Sequence, residues 1–191
     1  MKYDVILAGV GGQGVLSVAT IIAHAAISEG FEVRQSEVHG MAQRGGQVIS
    51  HMRISDKAIA SDLVPRGGAD MIIAMEPLEG LRYVSYLKPD GILVSSDESF
   101  VNMPVYPDKN VLLSFIKRLQ KWHLIKTAAL AKEAGLAKAA NTVMIGAASS
   151  FLPIKGENLE KTIADTFSKK DAAIVHANAK AFKLGQKAVS K

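Results

Sequence analysis

A glycine-rich stretch near the start of the chain carries the first residues that could bind a ligand. Its spacing is G-x-G-x-x-G, and it lies between an apolar run and a helical pattern. Such a stretch lets a strand turn tightly into a helix, whose first backbone amides then point at an anion such as a phosphate. The residues expected to contact a cofactor are Gly9, Gly11, Gly12, Gln13 and Gly14. The alternative is a tight strand-to-helix turn without a ligand.

A second polar stretch, residues 36–46, places an acid, an imidazole and a guanidinium within eight residues. Arg44 is suited to a planar anion such as a carboxylate or a phosphate, and the neighbouring glycines would let another surface approach closely. We therefore expect a loop that faces substrate or a partner. Its residues are Glu37, His39, Gly40, Met41, Gln43, Arg44, Gly45 and Gly46. The alternative is a loop that packs on itself, with Glu37 paired to Arg44.

Other chemistries find little support in the chain. It contains no cysteine, which excludes disulfides, thiolate catalysis and cysteine-bound iron–sulfur clusters within this chain. The five histidines lack the spacing of metal ligands, and we assign no catalytic or metal-binding residue. A nicotinamide site needs an acid roughly 20 residues beyond the glycines, where this chain has Arg34. His51 and Arg53 alternate with apolar residues and are expected to face solvent or a partner.

The elements that must position these residues follow an α/β pattern. Helical spacing of apolar residues begins at Val15 and stops at Gly30. Residues 47–54 alternate as a strand, with residues 58–63 as its hairpin partner, so the sheet should be mixed. The other expected strands are 5–8, 31–35, 71–75 and 92–95, and the helices of the second half are expected near 112–119, 127–134, 140–151, 157–168 and 171–188. The prediction is one domain, residues 1–191, with a three-layer Rossmann-like fold, a mixed and mostly parallel sheet and a helical C-terminal portion.

The net charge of +5 is concentrated at one end of the 191-residue chain. The last 23 residues hold six lysines and one aspartate, while the rest sums to zero. A basic end could bind nucleic acid or an acidic partner, but this one has no arginine and only Phe182 as an interleaved aromatic residue, so we interpret it as a solvated helix face. No apolar run approaches the ~20 residues of a membrane span, and no signal-peptide pattern is present, so we expect a cytoplasmic protein without membrane or nucleic-acid partners.

The two polar stretches together resemble those of a known family. Residues 9–14 followed by residues 36–46 look like the gamma-type component of 2-oxoacid:ferredoxin oxidoreductases, and within it the beta subunit of the indolepyruvate-specific branch. Residues 141–147 are similar to a further segment of the family. The resemblance covers essentially the whole chain, and the second stretch is its specific part.

The resemblance implies an accessory subunit of an enzyme complex. Such complexes decarboxylate a 2-oxoacid oxidatively to an acyl-coenzyme A and CO2 and pass two electrons to ferredoxin. Thiamine diphosphate, magnesium and the 4Fe-4S clusters are expected on the larger partner subunit, with coenzyme A as a co-substrate. The isolated chain should bind no cofactor by itself. Two other functions remain open, namely a stand-alone nucleotide-binding reductase and a binding module that uses the basic C-terminal helix.

Overall fold

A central six-stranded sheet organises the chain, in a computed structural model that describes residues 1–39 and 45–189. The strands are Lys2–Val10 (β1), Glu32–His39 (β2), Gln47–Ser55 (β3), Ala69–Ala74 (β4), Leu87–Ser96 (β5) and Trp122–Ile125 (β6). The helices are Val15–Ser28 (α1), Pro77–Arg82 (α2), Lys109–Ile116 (α3), Thr127–Glu133 (α4), Ala140–Ser149 (α5), Gly156–Phe167 (α6) and Ala172–Val189 (α7). Two 3-10 turns, Val84–Tyr86 and Ala137–Ala139, precede β5 and α5.

The sheet is mixed, as predicted, with the strand order β2-β3-β1-β4-β5-β6. Strands β1, β4, β5 and β6 are parallel, whereas β3 runs antiparallel to both β1 and β2. β3 therefore lies between the two strands that α1 connects. The carboxyl ends of β1, β4, β5 and β6 share one edge of the sheet, which in such folds is the usual place for a ligand.

Two apolar layers cover the sheet unequally. The larger core includes buried side chains of α1, α5, α6 and α7 against one face. The smaller core lies on the other face, where α2 and α3 pack with Ile6, Ile72 and Leu93 at its centre. The predicted three-layer α/β architecture is confirmed, and none of the helices in the described ranges is long and apolar enough to span a bilayer.

Two glycines let α5 and α7 cross at very short distance in the larger core. A Cβ atom at Gly146 would lie 2.1 Å from the carbonyl oxygen of Phe182, and one at Gly185 would lie 2.1 Å from that of Val143. The apolar stripe predicted for the last helix does pack on the body of the domain, with Ala181 fully buried. This crossing fixes the position of α5, whose first turn reaches the carboxyl edge of the sheet.

The prediction that residues 58–63 pair with β3 as a hairpin is wrong. Residues 58–63 form no strand, and β3 pairs instead with β2 and β1. The reason is a set of side-chain bonds: Arg53 donates to the carbonyls of Ser61 and Leu63, and Val64 N–H donates to His51 Nδ1 at 3.2 Å. These bonds hold the segment across the face of the sheet. Strand β6 was not expected, because four residues are too few to show alternation.

Candidate functional site

The glycine stretch joins β1 to α1 as the sequence predicts, and the side chain of Gln13 folds back over it. Gln13 Oε1 accepts the backbone N–H of Val10 at 2.8 Å, while its Nε2 donates to the carbonyl of Met75 at 3.3 Å. Because Met75 follows β4, Gln13 ties together the carboxyl ends of β1 and β4. A dinucleotide bound in the Rossmann manner would have to displace this side chain from the crevice between them.

Several backbone amides of the stretch are already bonded within the chain. The amide of Val10 donates to Gln13, that of Gln13 to the carbonyl of Val10, and that of Gly11 to the carbonyl of Gly46. Gly12 differs, since it is exposed, has φ 103° and has open space where a Cβ would stand. Any close approach of a ligand to this stretch is therefore easiest at Gly12.

The two stretches singled out in the sequence are in direct contact. Gly11 N–H donates to Gly46 at 2.7 Å, and Gly45 N–H donates to Gly11 at 3.1 Å. Both glycine-rich segments thus belong to one surface at the carboxyl edge. Gly45 has φ 78°, a left-handed conformation that favours glycine, and it ends the connection from β2 to β3.

The second stretch is shorter as a loop than predicted. Glu37 and His39 are part of β2, where they lie opposite Ser50 and Val48 of β3. The backbone pairing with β3 extends β2 to His39, so these two residues are strand residues rather than loop residues. The other predicted positions of this loop, apart from Gly45 and Gly46, lie outside the described residues: Gly40, Met41, Gln43 and Arg44.

A cleft of about 580 Å³ opens beside the glycine stretch at the carboxyl edge. Its lining residues come from the ends of β1, β4 and β5 and from the first turns of α4 and α5, and include Gly12, Gln13, Met75, Ser96, Glu98, Thr127, Lys138 and Asn141. The hydroxyls of Ser96 and Thr127, both buried, are 2.7 Å apart in its wall. A Cβ at Gly14 would lie 2.2 Å from Asn141 Nδ2, so α1 and α5 meet closely at this cleft.

Electrostatically, the cleft favours an anion on one side. Both α1 and α5 begin at its wall, and neither helix has a side-chain cap. Uncapped first turns carry unsatisfied N–H groups and the positive end of the helix dipole. Lys138 adds an exposed ammonium group next to the first turn of α5, and Glu98 is exposed at the cleft. A ligand with both phosphate groups and hydrogen-bond donors would match this arrangement.

The loop between β5 and α3, residues 97–108, connects the cleft to the second glycine segment. Its base contributes Glu98 to the cleft, and Asn102 Nδ2 donates to the carbonyl of Gly45 at 2.6 Å. The same loop exposes apolar side chains, with Val101 71% and Val105 85% accessible. We call residues 97–108 the rim loop, because they form a side wall of the site.

Glu76 follows the end of β4 and caps the first turn of α2. Its carboxylate is 1% exposed, and it accepts the N–H of Glu79 at 2.8 Å as the N-cap of α2. Burial raises the pKa of this carboxyl group, while backbone N–H groups, including that of Phe100 in the rim loop, oppose the shift. The buried carboxylate thus caps α2, and its Oε1 atom has no hydrogen-bond partner among the described residues.

His51 and Arg53 do not face solvent, contrary to the prediction. His51 is 5% exposed and packs edge-on against Tyr86, and burial lowers its pKa. Arg53 Nε donates to the buried carboxylate of Asp4 at 2.9 Å. Both side chains stabilise the face of the sheet that carries the smaller core, because the segment that follows β3 packs over them.

Sequence reasoning missed most of the polar cleft residues. Ser96, Glu98, Thr127 and Lys138 lie in different elements and form no motif, so only the fold brings them together. Asn141 lies in a segment that the sequence had already singled out. Among the described residues there is no group of three or more His, Asp or Glu side chains that could hold a metal ion.

Comparison with known proteins decides the family. The family model described as pyruvate ferredoxin/flavodoxin oxidoreductase matches residues 4–188. The chain belongs to this family. It is 36% identical to the indolepyruvate oxidoreductase subunit IorB of Pyrococcus horikoshii, over 98% of this chain and 96% of that protein. It is 31% identical to the pyruvate/ketoisovalerate oxidoreductases common subunit gamma of Pyrococcus abyssi, over 84% of each chain.

Solved structures of the family share the fold. The crystal structure of the keto/oxoacid ferredoxin oxidoreductase gamma subunit from Geobacter sulfurreducens superposes with a TM-score of 0.71 at 26% identity, and 98% of each chain is covered. The chain thus matches, over nearly its full length, proteins that are named as separate subunits. The family resemblance found in the two glycine-rich stretches is confirmed.

Proposed function

We propose that this chain is the accessory subunit of a ferredoxin-dependent 2-oxoacid oxidoreductase that acts on indolepyruvate or a related arylpyruvate. The observation that carries the proposal is the match, over nearly the whole chain, to a subunit of indolepyruvate oxidoreductase. The match to the pyruvate/ketoisovalerate subunit is lower in identity and covers less of the chain, which favours the arylpyruvate class. The reaction forms an acyl-coenzyme A and CO2, with electrons going to ferredoxin.

The chemistry itself belongs to a larger partner subunit in this proposal. A chain without cysteine cannot ligate the 4Fe-4S clusters, and the described residues offer no cluster of acids or histidines for magnesium. Thiamine diphosphate and the clusters supply decarboxylation and electron transfer on the partner. What this chain contributes is a shaped, positively polarised cleft and the surface around it.

The cleft is proposed to receive coenzyme A. Its volume of about 580 Å³ lies in the range of roughly 300–1,000 Å³ that small-molecule sites occupy. The uncapped first turns of α1 and α5 and the ammonium of Lys138 would hold phosphate groups, and Gly12 allows close contact with its backbone. Gly9, Gly11 and Gly14 would shape this wall rather than touch the ligand, and Gln13 would keep the crevice between β1 and β4 closed.

A variant of Lys138 tests this part. Loss of a charge-assisted contact costs about 1.5–3 kcal/mol, so Lys138→Gln should raise the KM for coenzyme A of the complex roughly ten- to hundredfold. The KM for indolepyruvate should stay unchanged, because that substrate reacts on the partner. Lys132→Gln is the matched control, since Lys132 is also exposed but lies in the last turn of α4, outside the cleft lining. Equal coenzyme A kinetics of both variants would contradict the assignment.

The rim of the cleft is proposed to contact the partner subunit. It consists of the rim loop and the second glycine segment that Asn102 holds. Glu37 and His39 at the end of β2 are proposed to join the same contact, as are Gly40, Met41, Gln43 and Arg44, which lie outside the described residues. Exposed Val101 and Val105 would be buried in the contact, and the guanidinium of Arg44 is suited to a carboxylate or phosphate across it.

Co-purification tests the subunit role. The tagged chain, co-expressed with the cysteine-rich, thiamine-type large subunit of its own organism, should elute with it in a fixed ratio. Val101→Ser with Val105→Ser should weaken the association, whereas Ile27→Ser, another exposed apolar position at the far end of α1, should not. If the chain instead binds nicotinamide or flavin nucleotides at micromolar concentration and never associates with the large subunit, the stand-alone reductase is the correct function.

A further inference from the structure

A second cavity lies at the opposite end of the sheet from the cleft. It has a volume of about 370 Å³, and its lining includes Tyr3, Asp70, Asp90, Lys121 and Phe151. Tyr3 is near the start of β1 and Asp70 near the start of β4, so the cavity belongs to the amino edge. Val10 lies seven positions beyond Tyr3 in β1, which places the two cavities on the order of 20 Å apart at ~3.3 Å per residue.

The charges around this cavity are partly neutralised by the chain itself. Asp70 is fully engaged, because it forms an ion pair with Lys88 and also accepts the backbone N–H of Asp4 at 2.8 Å. Within residues 1–39 and 45–189, by contrast, neither the carboxylate of Asp90 nor the ammonium of Lys121 has a hydrogen-bond or ion-pair partner. One unpaired negative charge and one unpaired positive charge therefore remain at the cavity.

Two aromatic rings contribute the apolar part of the lining. Phe151 is half-buried and lies against His123 with ring centroids 5.2 Å apart. Tyr3 is also half-buried, and burial together with the carboxylate of Asp70 raises the pKa of its hydroxyl, which stays protonated and able to donate. Burial lowers the pKa of His123, so the ring behind Phe151 is neutral near pH 7. The aromatic walls thus add no net charge.

The lining selects among small ligands by charge. A simple anion would be repelled by Asp90, and a simple cation would be repelled by Lys121. A molecule with an ammonium and a carboxylate group can pair with both, and a flat ring on the same molecule can contact Tyr3 and Phe151, since aromatic pairs attract beyond the area that they bury. The volume also lies in the range of small-molecule sites.

We propose that this cavity binds an α-amino acid with an aromatic side chain, as the zwitterion. Asp90 receives the ammonium group, Lys121 the carboxylate, and the rings of Tyr3 and Phe151 contact the side chain. Transamination of such an amino acid is the class of reaction that yields an arylpyruvate. If the proposed function holds, the site therefore responds to the supply of substrate, but the binding itself does not depend on that function.

Calorimetric titration of the isolated full-length chain tests the proposal without any activity measurement. L-tryptophan and L-phenylalanine should bind saturably, with dissociation constants in the millimolar range or below. Tryptamine, which lacks the carboxylate, 3-indolepropionate, which lacks the ammonium, and glycine, which lacks the ring, should each bind at least tenfold more weakly. Equal binding of tryptamine or of 3-indolepropionate would overturn the proposal, as would the absence of saturable L-tryptophan binding.

Variants of the two unpaired residues complete the test. Asp90→Asn and Lys121→Gln should each weaken L-tryptophan binding at least tenfold without changing the melting temperature, because both side chains are exposed. Asp62→Asn changes an exposed acid outside this lining and should bind like the parent chain. Binding that survives both charge variants unchanged would refute the site. Neither result depends on the partner subunit, so failure here is distinct from failure of the proposed function.

Discussion

Substitution of Gly146 by alanine should destabilise the domain strongly, although alanine is the better helix former. The added Cβ would lie 2.1 Å from the carbonyl oxygen of Phe182, about 0.9 Å short of the 3.0 Å below which real Cβ contacts are essentially never found. The obstacle is backbone, so α5 and α7 must separate along their whole contact. A gap of 0.5–1 Å already forfeits roughly a quarter to a half of each dispersion contact.

The magnitude follows from two opposing effects. Overpacking of a well-filled core costs about 1–3 kcal/mol and occasionally more, whereas alanine gains about 0.5–1 kcal/mol over glycine in a helix. With several buried α7 residues forced to move, we expect Gly146→Ala to lower the free energy of unfolding by about 2 kcal/mol. For a domain of this size that corresponds to a fall in melting temperature of roughly 4–8 °C.

Denaturant unfolding followed by circular dichroism measures this, and Gly156→Ala is the matched control. Gly156 is also helical, but its added Cβ would meet only the end of the Gln186 side chain, at 3.1 Å. That variant should be as stable as the parent or slightly more so. Gly185→Ala should resemble Gly146→Ala, and the double variant should cost less than the sum, because one separation of the helices relieves both clashes. Equal stabilities of Gly146→Ala and Gly156→Ala would refute the reasoning.

Two further outcomes are expected. Gly14→Ala should cost about 1–2 kcal/mol for its left-handed φ of 75° and push the Asn141 amide into the cleft, so it should raise the KM for coenzyme A. Gly30→Ala, with φ 85° and open space, should lose similar stability without that kinetic effect. Because burial lowers the pKa of His51, the unfolded chain binds its proton first as the pH falls below about 6.5, and stability should decline from there. Denaturation at pH 7.5 and 5.0 should show a smaller decline in stability for His51→Gln than for the parent chain; the same decline in both would contradict this role.

The sequence predicted the architecture wherever the pattern was local. The turn from β1 into α1, the buried strand β4 and the stripe of α7 follow from apolar spacing within one element. The pairing of β3 with β1 and β2 could not be found this way, because no local pattern shows which strands lie side by side. Arg53 and His51 hold the segment that follows β3 across the face of the sheet, so that it does not pair as a strand. From the sequence alone, residues 58–63 resembled the second strand of a hairpin.

The site shows the same division between local and long-range information. Both glycine-rich stretches were identified from spacing, and their ends do meet through Gly11, Gly45 and Gly46. The polar cleft residues could not be predicted, since Ser96 and Thr127 are 31 positions apart and only the parallel order of β5 and β6 brings them together. The motif residues were enough to identify the family. They did not show which of these residues contacts a ligand or a partner.

Reconstitution of activity from separately purified subunits tests the central claim most directly. This chain and the large thiamine-type subunit proposed as its partner are assayed alone and mixed, with indolepyruvate, coenzyme A and a viologen or ferredoxin as acceptor. The chain alone should be colourless and inactive, because it has no cysteine to ligate a cluster, and the full coenzyme A-dependent rate should appear only on mixing. Turnover by this chain alone, or a full rate from the large subunit without it, would contradict the account.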